Sequence, residues 1–254
     1  MSEPAPQTAD ATIECDQALA TALGRDLRLI ARFHDRELDS ATLDTLASLP
    51  VAQWFTLRLR GEVCVEACRL VSDALNGIAD HTDRAMLDDY AAEYAAIYLT
   101  HSYRAAPTES VWRDEDGLER QGAMFATRKW YGHYGVVVPD WRLRSDDHIV
   151  HELEFLALLF ESATDNARLT EAARFLRDHP LVWVPEFCKR VSRRCRLQLY
   201  AGFALLTLTY IEELAKFLHA VTGLEMTPPA LRLSAMAPVP VPGTPTCADP
   251  PAMS

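Results

Sequence analysis

The sequence predicts an all-α protein, and three observations carry that expectation. Apolar residues recur at three- and four-residue steps along most of the chain. No stretch alternates apolar and polar residues at the strand period, and no segment repeats. A length of 254 residues with 49% hydrophobic content suits one large helical core. The expected architecture is a single globular helical domain of about eight to ten helices over residues 15–224. Polar and Pro-rich ends at 1–14 and 225–254 are expected to be disordered.

The first helix opens at Cys15, with Leu19, Leu23, Leu27, Ile30, Ala31 and Phe33 at helical spacing, and fades near Glu37. Asp39 and Ser40 offer a cap for a short helix that reaches Leu49 and breaks at Pro50. Trp54, Phe55, Leu57 and Leu59 fit either a short helix or extended chain, closed by Gly61. A clearer helix covers 62–75, with Val63, Ala67, Leu70, Val71 and Ala74 on one face. Another covers 82–98, with Met86, Leu87, Tyr90, Tyr94, Ile97 and Tyr98 apolar.

Residues 101–119 contain Pro107, Gly117 and several charges, and predict a loop. Loops of this length in a compact domain are usually functional or disordered. A helix over 122–134 ends at Gly135, and a second connection with Pro139 leads to 145–161. Residues 168–178 form a further helix, halted at His179-Pro180. Pro185 reads as a first-turn proline opening the longest helix, which runs to about Val221 before Gly223.

The stretch 145–161 organises the chain. Ser145, Asp146 and Asp147 are capping residues, and carboxylates there complement the positive helix terminus. Asp147, His148, His151, Glu152 and Glu154 fall on one side of the first turns, and Phe155, Leu158 and Leu159 continue that side. Five carboxylates (Asp146, Asp147, Glu152, Glu154 and Glu161) accompany no Lys or Arg. The pattern predicts a buried helix with an acidic mouth, suited to a ligand cationic at one end and apolar beyond.

Composition narrows the function classes. A formal charge of −11 argues against a duplex-binding surface, which needs a cationic face. The six cysteines include no Cys-x-x-Cys and read as small core residues in a reducing compartment. The charge-free run 197–211 is too short for a membrane span, which needs about 20 apolar residues. The N-terminus lacks the basic start and apolar run of a secretory signal, so a cytoplasmic protein is expected. No Gly-x-Ser-x-Gly elbow or glycine-rich phosphate loop occurs. A metal site on His148, His151 and Glu152 has suitable helical spacing. Against it, no histidine follows a Glu by three residues, as helical-bundle metal centres usually require.

Three segments carry a family resemblance. The run 93–101 (Glu-Tyr-Ala-Ala-Ile-Tyr-Leu-Thr-His) is followed by Pro107-Thr-Glu-Ser-Val-Trp112. Asp147-His148 precedes Glu152-Leu-Glu-Phe-Leu-Ala-Leu-Leu159. Phe175-Leu-Arg-Asp-His-Pro-Leu-Val-Trp-Val-Pro185 comes last. In this order they resemble the TorD/DmsD/NarJ-like chaperones that mature molybdenum-cofactor enzymes. Thr100-His101 stands where the family has Gly-Pro, and Thr108 stands in place of an aromatic.

The resemblance implies an all-helical, non-enzymatic cytoplasmic chaperone with no cofactor of its own. Its partner would be the twin-arginine signal peptide of a molybdopterin-dependent oxidoreductase precursor, held in its apo form until the cofactor is inserted and export follows. Monomers and domain-swapped dimers are both implied, with 140–145 as the exchange point. The expected peptide site is Tyr98, Leu99, Trp112, Asp147, His148, Glu152 and Phe155. Asp147 and Glu152 would engage the arginine pair, His148 would order them, and the others would receive the apolar run. A charge-assisted bond contributes about 1.5–3 kcal/mol, and burying one Leu or Phe about as much. Apolar contact should therefore supply most of the affinity and the carboxylates the selectivity. The alternatives are a helical metal-binding enzyme on the His148/His151/Glu152 face and a general helical adaptor.

Overall fold

The computed structural model describes residues 15–139 and 141–231. Expectations for residues 1–14, for Asp140 and for the Pro-rich segment from 232 onward, Cys247 included, lie outside the described residues. Ten α-helices and no strand occur among those described, as the periodicity predicts. They are α1 (Gln17–Asp35), α2 (Ser40–Ala47), α3 (Glu62–Gly77), α4 (Arg84–Tyr94), α5 (Glu109–Arg113), α6 (Gly122–His133), α7 (Ile149–Glu161), α8 (Asn166–Asp178), α9 (Pro180–Arg194) and α10 (Gln198–Thr222).

Local chemistry sets most of the starts. Asp16, Asp39 and Asp165 each accept a hydrogen bond from a backbone N–H in the first turn, at 2.7, 2.8 and 2.9 Å. α10 is buried nearly all round and packs on α3, α8 and α9, while α7 packs on α1 and α8. Phe33 of α1 stacks on Phe203 of α10, ring centroids 4.2 Å apart, and joins the two halves of the core. No helix among the described residues is long and apolar enough to cross a membrane.

The expected 101–119 loop contains the short helix α5, and three helix boundaries also differ from the sequence reading. First, the expected last helix is two. Pro180, not Pro185, occupies the first turn, and Pro185 lies inside α9. The chain leaves helical geometry at residues 195–197, where the Arg196 N–H donates to the buried Glu93 carboxylate at 2.5 Å. A sealed carboxylate needs donors, and here a backbone amide supplies one.

Second, α7 begins at Ile149, and its cap is His148 rather than Ser145, Asp146 or Asp147. The His148 ring accepts from the Val150 N–H at 3.2 Å. Third, α4 continues into one π-helical turn, Ala95–Leu99. That widened turn carries Tyr98 into the core, where its hydroxyl meets His34 Nδ1 at 2.7 Å. It leaves Leu99 outside.

Candidate functional site

The long loop after α4 returns across the entrance of α7. Glu109 N donates to the Asp147 carbonyl and Ile149 N to the Pro107 carbonyl, both at 2.9 Å, forming one antiparallel bridge between Thr108 and His148. The Asp147 carboxylate completes the joint. It accepts from Ser110 N at 2.8 Å and from the Ser110 and Ser145 hydroxyls, each at 2.5 Å. Asp146 is likewise buried and held by Arg128 at 2.7 Å. The expected acidic mouth is thus closed: its carboxylates satisfy donors of the loop and of α6.

Glu152 points to the opposite side. One of its oxygens accepts from the Trp183 indole N–H at 3.0 Å, and the other has no partner. Nearby, Glu109 accepts from Arg113 at 2.6 Å and meets His179 Nδ1 at 2.8 Å. Burial, and then the neighbouring Glu109, push the Glu152 carboxyl well above the usual carboxylate range. Glu109 is held below that range: burial opposes the shift, but His179 and Arg113 outweigh it.

Among the described residues, Glu109, Glu152 and His179 are the set whose ligand atoms converge within 4.8 Å, as a metal ion would require. The set His148, His151 and Glu152 does not converge. This corrects the metal alternative, because the side chain of Glu152 turns away from the two histidines.

Trp112 and Phe155 are also sealed. Trp112 donates to the Ala106 carbonyl at 2.8 Å, under the Arg190 guanidinium. Phe155 packs against Tyr131, Tyr134 and Phe175. Of the seven residues expected to hold a peptide, Tyr98, Leu99 and His148 border one open recess, and Trp112, Asp147, Glu152 and Phe155 stand behind it.

That recess has a volume of about 250 Å³. Its walls come from the π turn, the 101–120 loop and the connection before α7. His148 presents an uncharged ring there: burial first, then Arg144 and His151, push it well below the usual imidazole range. Since Nδ1 accepts the Val150 N–H, the proton of the neutral ring sits on Nε2.

Residues outside the expected peptide site supply other walls: Thr108, Glu119, Arg120, Leu143 and Arg144. Arg144 is paired with Asp35 at 2.6 Å, and Arg120 donates to the Arg142 carbonyl at 2.6 Å. Glu119 is the one carboxylate among the lining residues, with His101 Nδ1 at 3.9 Å. Leu99 and Leu143 in the lining are 64% and 87% exposed. His101, Arg104 and Arg120 all have positive φ, near 51°, 51° and 60°, an unfavourable conformation for residues with a side chain. For Thr108 and Glu119 the signal was the length of the 101–119 loop, which marked the region but not the side chains; Leu143 and Arg144 lie in the separate connection before α7.

A family model described as the nitrate reductase delta subunit matches residues 66–189. Three relatives share the name chaperone protein TorD. The one from Vibrio cholerae serotype O1 is 30% identical over 149 residues, covering 56% of this chain and 66% of the relative. The one from Vibrio parahaemolyticus is 24% identical over 183 residues, covering 69% and 84%. The one from Escherichia coli K12 is 27% identical over 190 residues, covering 72% and 89%. The chain thus spans 66% of the length of the Vibrio cholerae relatives it matches.

Proposed function

The chain belongs to the TorD/NarJ family, and from that premise we propose that it is a cytoplasmic maturation chaperone for a molybdopterin-dependent oxidoreductase. It binds the twin-arginine signal peptide of the precursor, holds the apoenzyme for cofactor insertion and delays export. It performs no bond chemistry itself.

One observation carries the site assignment. Two strongly exposed leucines, Leu99 and Leu143, line a recess bordered by Tyr98 and His148 and framed by backbone held at positive φ at His101 and Arg120. Large apolar side chains clustered on a surface mark a place where another chain docks. Strained loops are kept where the surrounding structure over-determines them for a purpose. Leu99 and Leu143 are placed to receive the apolar run of a leader, and each leucine covered contributes about 1.5–3 kcal/mol before the cost of ordering the peptide.

Affinity capture from the native host, read by mass spectrometry, tests this. The chaperone should recover a molybdopterin oxidoreductase precursor that still carries its leader, and the variant Leu99→Asp/Leu143→Asp should lose it. Equal recovery of precursor with its leader deleted would refute the reading.

A further inference from the structure

Asp147 and Glu152, the carboxylates first expected to read the arginine pair, are both fully buried away from the recess, and this raises the question of what replaces them. The answer rests on the signal-peptide reading and extends it. We propose that Glu119 and Thr108 form an arginine-binding subsite in the recess, with Glu119 the residue that selects the arginine pair.

Two independent observations converge on this place. Glu119 is the carboxylate of the lining, on a half-exposed side chain with no close cation: His101 Nδ1 lies 3.9 Å away, beyond hydrogen-bond reach. Thr108 forms another part of the wall, and its hydroxyl is buried without any partner. A buried unpaired hydroxyl costs about 1–3 kcal/mol, and so is seldom kept where nothing pairs with it. Guanidinium is a planar fork with five donors. It can address a carboxylate on one wall and a hydroxyl oxygen on another, whereas an ammonium acts as a compact point charge.

The charges around the recess agree. Asp35 neutralises Arg144, which leaves Arg120 against Glu119. Leu99 and Leu143 line the same recess as Glu119, matching a ligand with a cationic head and an apolar continuation. Arg120 is the one unfavourable neighbour, and it gives the proposal a second, opposite-signed consequence.

The experiment is a fluorescence-anisotropy titration of the full chain. The probes are a labelled synthetic peptide with an Arg-Arg pair ahead of an apolar run, and its Lys-Lys counterpart. Wild-type protein should prefer the Arg-Arg peptide. Glu119→Gln should weaken it roughly two- to five-fold, as for a half-exposed charge pair, and remove most of the preference over Lys-Lys. Arg120→Gln should tighten both peptides. Thr108→Val should weaken the Arg-Arg peptide while leaving the thermal midpoint unchanged or higher, since it removes an unpaired buried hydroxyl.

Unchanged affinity and unchanged arginine preference in Glu119→Gln would overturn the subsite and leave the peptide-binding reading standing. Failure of the wild-type chain to bind either peptide would overturn the peptide-binding reading itself.

Discussion

Asp147 accepts from the Ser110 amide and from the hydroxyls of Ser110 and Ser145, and it is fully buried. A carboxylate in this position ties a loop to a helix, and its complete burial leaves it out of reach of a peptide. Asp147→Asn keeps the shape but replaces one acceptor oxygen with an NH₂ that faces hydroxyl and amide donors. Removing charge-assisted bonds of this kind costs about 1.5–3 kcal/mol each, although relaxation recovers part of it. The variant should show a lower urea midpoint, and its folded fraction should retain the wild-type preference for arginine over lysine peptides. A variant of unaltered stability with lost arginine preference would return the reading role to Asp147. Its neighbour His148 shows the same logic in a milder form, because one ring nitrogen caps α7 and the other keeps its proton toward the recess.

At the scale of elements, the close crossing of α3 and α10 depends on Gly202. A Cβ there would overlap Val71 Cγ2 and come within 3.2 Å of the Val71 backbone nitrogen and 3.3 Å of the Ala67 carbonyl. Gly202→Ala would gain about 1 kcal/mol of helix propensity. Overpacking a close helix crossing costs about 1–3 kcal/mol, so the net effect should be destabilising. Thermal unfolding should show a lower midpoint for Gly202→Ala and partial recovery in Gly202→Ala/Val71→Ala. Recovery to wild type or above would mean that the methyl contact, and not the backbone approach, limits the crossing.

The helices themselves were readable because caps and apolar periodicity act within four residues. Asp39 starting α2 and Gly223 ending α10 follow from the sequence alone. The break between α9 and α10 was not readable. It depends on Glu93, 103 residues earlier, which draws the Arg196 amide out of helical geometry. Similarly, a single extra residue in the turn Ala95–Leu99 decides that Tyr98 points inward and Leu99 outward, and spacing alone does not foretell a π turn.

Across the whole molecule, the buried titratable groups pull stability in opposite directions with pH. Burial depresses His34 to about 3, and burial together with Arg144 depresses His151 to about 4, while His148 also lies well below its ordinary value. Below the ordinary imidazole value of about 6.5, the unfolded chain binds protons that the folded chain refuses, so stability falls as pH drops toward those folded values. Glu152 acts in the other sense. Its folded carboxyl keeps a proton that the unfolded chain releases above its ordinary value of about 4.5, so its contribution is complete below that value and declines as pH rises.

Thermal midpoints measured from about pH 5 to about pH 9 should therefore fall at the acid end. Glu152→Gln, which is neutral at every pH, should gain on wild type steadily as pH rises. Parallel wild-type and mutant curves would show that Glu152 does not hold its proton in the folded state.

Local periodicity and short ordered motifs were enough to read the helical class, the order of most helices and the family resemblance from the chain alone. The sequence also marked the 101–119 loop as the place to look. Only the tertiary structure decided which charges remain available. Asp147 meets a serine 37 residues away, Glu152 a tryptophan 31 residues away, and Glu109 a histidine 70 residues away. Burial and pairing are properties of contacts distant in sequence, and they turned an expected acidic mouth into a sealed joint and left Glu119 facing the recess.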